Sequence, residues 1–434
     1  MADINTAISR PMDSTDYGAI SNIVVSRVSV QPENKTEISL TGGNTSDLYF
    51  SIPSKSNSFI NGANSYLTFT YTLEGTTATA AVTGAISNGS AGSFIRNLET
   101  IASSTSLELI NSYNVLYALQ DDMMSLGRST TIGSILEDKH LIDAKTGVAR
   151  SVAAANSVGY TQKRRLVQPL MSCSLGTLQT KYMPVGNDMG LRLRLTMEAP
   201  DVALHFSGAV AVAGYKLEDI TFEIEYLTTD AATYKQMIQE AEGVFKVSGT
   251  GVAHHQMTLS AGATSSTILI PARNSSIKNF ITVLRDTNKT TSKTHNSVGD
   301  RTRASMSSYV YRNGGQNYPN LPVAVDDYTS AESFTELSKC FHALHNTTSN
   351  CVFNRDDYVA DNSTGHKGSY AFGCDFEESG FSAMAGLNSR DSNTFLSLEH
   401  SSPIAAAGLV VDTFCFYDTI IEINTMTGEV MVSK

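Results

Sequence analysis

The sequence has no tryptophan, few charges at 17% of its residues, and only ten prolines and five cysteines in 434 positions. Each shortage excludes something. Indole rings are common platforms for sugars, so their absence counts against a carbohydrate site. The cysteines Cys173, Cys340, Cys351, Cys374 and Cys415 are odd in number, scattered and without a C-x-x-C pair. That usage predicts reduced thiols in an intracellular setting rather than a disulfide framework. No basic run exceeds Lys163-Arg164-Arg165, which is read as a solvated loop, and the net charge is −11. Direct binding to nucleic acid needs clustered cations that displace counterions from phosphate, and it is not expected here. The longest apolar stretch, Ile404 to Val411, falls far short of a membrane span. No apolar leader opens the chain, and the seven N-x-S/T triplets, Asn34-Lys35-Thr36 among them, are read as chance in an Asn, Ser and Thr-rich sequence.

Catalytic signatures are missing too. There is no G-x-S-x-G, Walker loop, G-x-G-x-x-G or H-E-x-x-H. His342 and His345 lie near Cys340 and Cys351, but Cys340 and His342 fall on different faces of a helix, so zinc is not expected. His254 and His255 would open a strand and point to opposite faces, which prevents joint ligation. The acids Asp356, Asp357, Asp361, Asp375, Glu377 and Glu378 lie among glycines in expected loops and read as solubilising. No catalytic, cofactor-binding or metal-binding residue is assigned.

What is present is the same text twice. Ile52-Pro53-Ser54-Lys55-Ser56-Asn57-Ser58-Phe59 matches Ile270-Pro271-Ala272-Arg273-Asn274-Ser275-Ser276-Ile277, 218 residues later in a chain of 434. A weaker echo sets Asp219 to Ile224 against Asp418 to Ile423, 199 apart. Two echoes in the same order indicate a duplicated domain, and each half is long enough for its own core.

Apolar residues alternate at period two in Ile23 to Val30, Tyr66 to Leu73, Leu191 to Met197, Ile220 to Tyr226, Ser266 to Ile270, Phe280 to Leu284 and Phe414 to Ile423. These predict strands of antiparallel sheets with one dry face. Helical spacing covers Asn111 to Leu126, Asp230 to Gly243, and a stretch from Thr329, whose Thr329-Ser330-Ala331-Glu332 spells a capping box. Their apolar stripes are read as packing faces, the middle helix joining the two repeats. Long polar stretches at Gly75 to Gly92, Gly127 to Arg165, Asp286 to Asp327 and Thr347 to Thr394 predict loops that carry outer surface or subunit contacts.

Two β-rich repeats joined by a helix, together with the stretches Ile52 to Tyr71, Leu269 to Phe280 and Tyr311 to Val323, resemble the double jelly-roll major capsid proteins of polinton-like viruses, virophages and adintoviruses. The resemblance implies an all-β fold of two tandem eight-stranded antiparallel jelly rolls, with a few short helices in loops and between the domains. It implies a homotrimer that imitates a hexamer, tiles an icosahedral virion shell, and meets neighbouring capsomers, penton and minor capsid or cement proteins, and an internal membrane. No cofactor is implied. The expected division is an arm at 1–20, a first jelly roll at 21–228, a linking helix at 229–243, a second jelly roll at 244–424 and a tail at 425–434. The arm and tail would reach neighbouring capsomers or an inner layer, and the arm's only basic residue is Arg10. The expected location is the virion shell, assembled inside the host cell. Two other readings stay open: a tandem jelly-roll glycan-acting hydrolase or glycan-binding protein, resembling the peptide-N-glycanase amidases, and a spike or fibre head.

Overall fold

The computed structural model describes residues 23–76, 84–87, 90–123, 131–137, 163–186, 189–206, 212–326, 329–341, 351, 353, 355–359, 368–377, 386–405, 407–425 and 427–434. The expected arm at 1–20, His342, His345, Asp361 and Glu378 lie outside them.

The first half contains β1 (Val24–Val30), β2 (Ile38–Thr41), β3 (Ser46–Ser51), β4 (Ser58–Thr76), β5 (Gly84–Ile86), β6 (Ile95–Ala102), β7 (Thr105–Ile110), helices α1 (Tyr113–Asp122) and α2 (Ile132–Leu136), β8 (Lys163–Pro169), β9 (Met183–Pro184), β10 (Leu191–Met197), β11 (Leu204–Phe206) and β12 (Val212–Thr228). Helix α3 (Ala231–Glu240) leads into β13 (Val244–Leu259), β14 (Ser265–Ile270), β15 (Ile277–Asp286), β16 (Met306–Asn313), β17 (Gln316–Ala324), α4 (Ser330–Cys340), α5 (Arg355–Val359), β18 (Phe372–Asp375), β19 (Thr394–His400), β20 (Leu409–Asn424) and β21 (Val430–Ser433).

Strand order shows the duplication directly. One sheet of the first half runs β1-β12-β4-β8 and the other β3-β10-β6-β7; in the second half the orders are β13-β20-β15-β18 and β14-β19-β16-β17. Place for place these are the same eight strands twice, so the chain is a double jelly roll. The helices repeat as well, α1 following β7 as α4 follows β17.

Alternation builds the cores. In β10, Leu191, Leu193, Leu195 and Met197 face inward and are almost wholly buried, while Arg194 on the other face pairs with Asp47 at 2.9 Å and Glu99 at 3.3 Å. Helix α3 starts at Asp230, whose carboxylate accepts from the Thr233 amide at 2.7 Å, a side-chain N-cap. Its Tyr234 packs on Phe59 and Phe245, with ring centroids 5.5 and 6.0 Å away.

The first echo occupies equivalent positions. Ile52 donates its amide to the carbonyl of Leu191, the first residue of β10, and Ile270 stands opposite Thr394, the first residue of β19. The second echo falls on equivalent strands, β12 and β20, but on different rungs. Phe59 stands opposite Leu227, past that echo, whereas Ile277 stands opposite Tyr417, ahead of it. The unequal spacing of the echoes thus includes a slip in the sheet ladder, besides residues missing from loops. On β20 the rungs Ile420 to Ile423 are filled by β21. This part of the expected outreaching tail is therefore docked on its own chain.

Other expectations are corrected here. Lys163-Arg164-Arg165 is no loop but the start of β8, opposite Thr72, Tyr71 and Thr70, with the Lys163 ammonium on Glu218. The stretch Asp286 to Asp327 contains the hairpin β16–β17, Gly75 to Gly92 contains β5, and Thr347 to Thr394 contains α5 and β18. His254 and His255 lie inside β13 rather than at its start. The capping box does not close as spelled. The Thr329 hydroxyl instead donates to the Asp326 carboxylate at 2.9 Å and accepts from the Asp326 amide at 3.0 Å.

Candidate functional site

The features with the strongest demands on sequence lie where the two jelly rolls meet. Edge strand β7 of the first runs beside edge strand β13 of the second. Between them Gln179 and Gly249 form an isolated antiparallel bridge, and the Thr180 hydroxyl donates to the Ser248 carbonyl. A side chain at 249 would be tight, because a Cβ there would sit 3.0 Å from the Cβ of Cys173. The segment carrying Cys173 is held by Glu108 of β7, a buried carboxylate. It accepts from the Cys173 amide at 2.9 Å, the Ser174 hydroxyl at 2.6 Å and the Thr100 hydroxyl at 3.0 Å, as well as from Ser172. These donors satisfy a charge that would otherwise be costly to bury.

Higher along the seam, Arg301 of the second jelly roll is fully buried and its guanidinium pairs with Asp122, the last residue of α1 in the first. The Phe206 amide donates to the Lys293 carbonyl at 2.8 Å, and the Lys293 ammonium lies 3.7 Å from Asp201. Burial lowers the pKa of both His205 and His295 at this contact, and the charge of His295 adds to the effect on His205.

A buried polar cluster supports the seam from the second sheet. Asp412 on β20 takes the Arg285 guanidinium at 2.7 and 2.8 Å through one oxygen, and His254 and Gln256, each at 2.8 Å, through the other. Burial alone would raise its pKa. The Arg285 charge and the His254 hydrogen bond outweigh that and hold the carboxyl down at about 2. His255, on the opposite face of β13, is pushed down to about 4 by burial and by the charge of His254.

Among the described residues, the acids singled out from the sequence, Asp356, Asp357, Asp375 and Glu377, are not brought together as a catalytic pair. Glu377 and Asp418 flank Lys278 at 3.0 and 3.3 Å; burial works to lower that lysine's pKa, but the two carboxylates outweigh it and the net shift is upward. Asp356 and Asp357 stand in the first turn of α5. A cavity of about 430 Å³ beside α4 and α5 is lined by Phe334, Phe353 and Tyr358, with Arg355 and Cys351, and among the described residues no carboxylate lines it. Cys340 is buried and bonded toward the Glu336 carbonyl, while Cys351 lies half-buried against the Phe353 carbonyl. Among the described residues no three His, Cys, Asp or Glu side chains are placed to hold a metal ion, and no helix is long and apolar enough to cross a membrane.

Sequence reasoning missed Arg301, Asp122, Glu108 and Asp412. Asp122 and Arg301 are 179 positions apart and belong to different repeats, and periodicity carries no information about such partners. Gly249 and Gly251 were the available signal, glycines that continue the apolar positions of Phe245 and Val247 in an alternating strand, which indicate close approach of another group.

No family model matches the sequence, and no curated protein matches it. Solved structures do match, over nearly the whole length of both partners. The quasi-atomic capsid of the virus PBCV-1 aligns at a TM-score of 0.60 and 10% identity, covering 95% of this chain and 97% of that one. The capsid of the virophage Sputnik aligns at 0.58 and 9%, covering 94% and 88%. The mavirus major capsid protein aligns at 0.56 and 10%, covering 97% and 92%. At these identities the likeness establishes the fold and its strand order.

Proposed function

We propose that this chain is a major capsid protein, the repeating subunit of an icosahedral virion shell, with residues 21–228 and 244–424 as two towers joined by 229–243. The observation that carries the reading is the repetition of eight strands in one order, in a fold shared end to end with virus coats. A chain with two similar towers, arranged about a three-fold axis, offers six similar lateral faces and can tile a plane that a true hexamer would tile. The acidic balance of the chain agrees with genome contact through other components. Neighbouring capsomers, penton and cement proteins, and an internal membrane are the partners of the same reading, with assembly inside the host cell and no catalytic role.

Native mass spectrometry of the purified chain, followed by electron microscopy, tests the reading. A trimer at micromolar concentration and hexagonal arrays of three-fold particles are expected. A stable monomer that forms no array would overturn it.

A further inference from the structure

The helix pair α1–α2 stands between β7 and β8, and the pair α4–α5 stands between β17 and β18, the strands in the same places of the second jelly roll. The two pairs are finished differently. In the first, Tyr117, the fifth residue of α1, is buried. Its hydroxyl donates at 2.8 Å to Glu137, which follows α2 and also accepts from the Ser90 hydroxyl at 3.2 Å. In the second, the fifth residue of α4 is Phe334, half-buried and without a hydroxyl, and it borders the cavity of about 430 Å³. Arg355 opens α5, and among the described residues it is the one charged group on the cavity wall.

Three aromatic rings line that wall. Phe353 and Tyr358 stack with centroids 5.7 Å apart and planes 10° apart, and Phe334 meets them edge-on at 6.1 and 5.3 Å. The Tyr358 hydroxyl donates to the Ala371 carbonyl at 2.8 Å, so the ring is what remains to face a ligand. Asp356 and Asp357, next along α5, do not line the cavity. Small-molecule sites have volumes of about 300–1,000 Å³, apolar and aromatic walls, and a few polar groups that fix orientation. Flat rings gain from edge-on and offset contacts with such walls, and a planar guanidinium matches a carboxylate.

We propose that this cavity binds a small aromatic carboxylate, with its ring against Phe334, Phe353 and Tyr358 and its carboxylate toward Arg355. In the first jelly roll the chain's own Glu137 sets a carboxylate beside the aromatic residue of the helix pair; in the second a ligand supplies it. Arg355 also has contacts elsewhere in the chain, but a guanidinium carries five donors and can hold more than one acceptor. The site lies within one chain and does not depend on the shell-subunit reading.

The test uses the full chain and two probes of one shape, 2-naphthoate and the neutral 2-naphthamide, in isothermal titration calorimetry. One 2-naphthoate per chain is expected, with 2-naphthamide at least fivefold weaker. Arg355→Gln should erase that preference, whereas Arg192→Gln, at an exposed site on β10, should leave it unchanged. Phe334→Leu should weaken both probes at least threefold, and circular dichroism should show wild-type sheet content in each variant. Cys351 gives a readout that needs no substitution. It lines the cavity, so saturating 2-naphthoate should slow its alkylation by N-ethylmaleimide at least fivefold. No saturable binding of 2-naphthoate, equal binding of the two probes, the full preference retained in Arg355→Gln, or an unprotected Cys351 would each overturn the site. None of these results bears on the oligomeric state, so the shell-subunit reading would stand or fall separately.

Discussion

Replacing Asp412 by alanine tests whether the second jelly roll depends on its buried charge cluster. The carboxylate is fully buried and holds Arg285 by two contacts of 2.7 and 2.8 Å, so its removal leaves a guanidinium with 7% side-chain exposure and no direct counter-ion at that position. Breaking a buried pair from one side costs about 3–5 kcal/mol. Unfolding entropy of about 2.1 cal/mol/K per residue gives about 0.9 kcal/mol/K for 434 residues melting as a unit. The expected fall in Tm is then about 3–6 °C by calorimetry at matched protein concentration, and about twice that if the second jelly roll melts alone. The double variant Asp412→Leu with Arg285→Met removes both charges and should recover most of the loss. Acid gives an independent reading. The folded pKa of about 2 lies below the ordinary 3.8, so the stabilisation is complete above about pH 4 and is lost as pH falls toward 2. It amounts to about 2 kcal/mol at about 1.4 kcal/mol per pH unit. Asp412→Asn should lack that portion of the acid dependence. Melting within about 1 °C of wild type for Asp412→Ala, or an unchanged acid slope for Asp412→Asn, would refute the reasoning.

Other perturbations probe the seam and the cores. Because burial lowers the pKa of His205 and His295, folding opposes their protonation. Stability should decline as pH falls below about 6.5, and His205→Gln should flatten a Tm profile between pH 7.5 and 5. Gly249→Val would drive a branched side chain against Cys173; limited proteolysis between the halves should accelerate while each half keeps its sheet signal. Of the five thiols four are buried and Cys351 is half-buried, with burial raising its pKa too. Native alkylation at pH 8 should therefore be slow and confined to Cys351, whereas unfolding should release all five to the reagent. Leu193→Ala, at a wholly buried position in β10, should cost about 2–5 kcal/mol in denaturant titration.

The readable strands were those with one dry and one wet face, of which β10 is the clearest case. The first part of β13, ahead of His254, escaped because Gly249 and Gly251 interrupt its apolar alternation. The Tyr417 ring comes too close for a Cβ at 251 and Cys173 leaves little room for one at 249. Strand β17 escaped because prolines suggest loops, although an edge strand tolerates them where no partner needs its amides. Lys163 to Arg165 looked like a solvated loop because the charges hide a strand whose cations are spent on Glu218 and Thr68. The first echo identified equivalent positions in the two halves, whereas the second identified only equivalent strands, since a sheet can slide along its ladder without changing its order. The cluster at Asp412 was not legible at all. Its members lie on β13, β15 and β20, and only the folded sheet makes them neighbours.

Pro319 and Pro322 also limit what the edge of β17 can join. An unfinished copy offers free amides and carbonyls and will join any edge that completes a ladder, which is how crowded sheet proteins become tangled. An edge interrupted at two positions is a poor template for such a strand. The strand is thereby guarded against ladder pairing with half-made chains where they are most abundant.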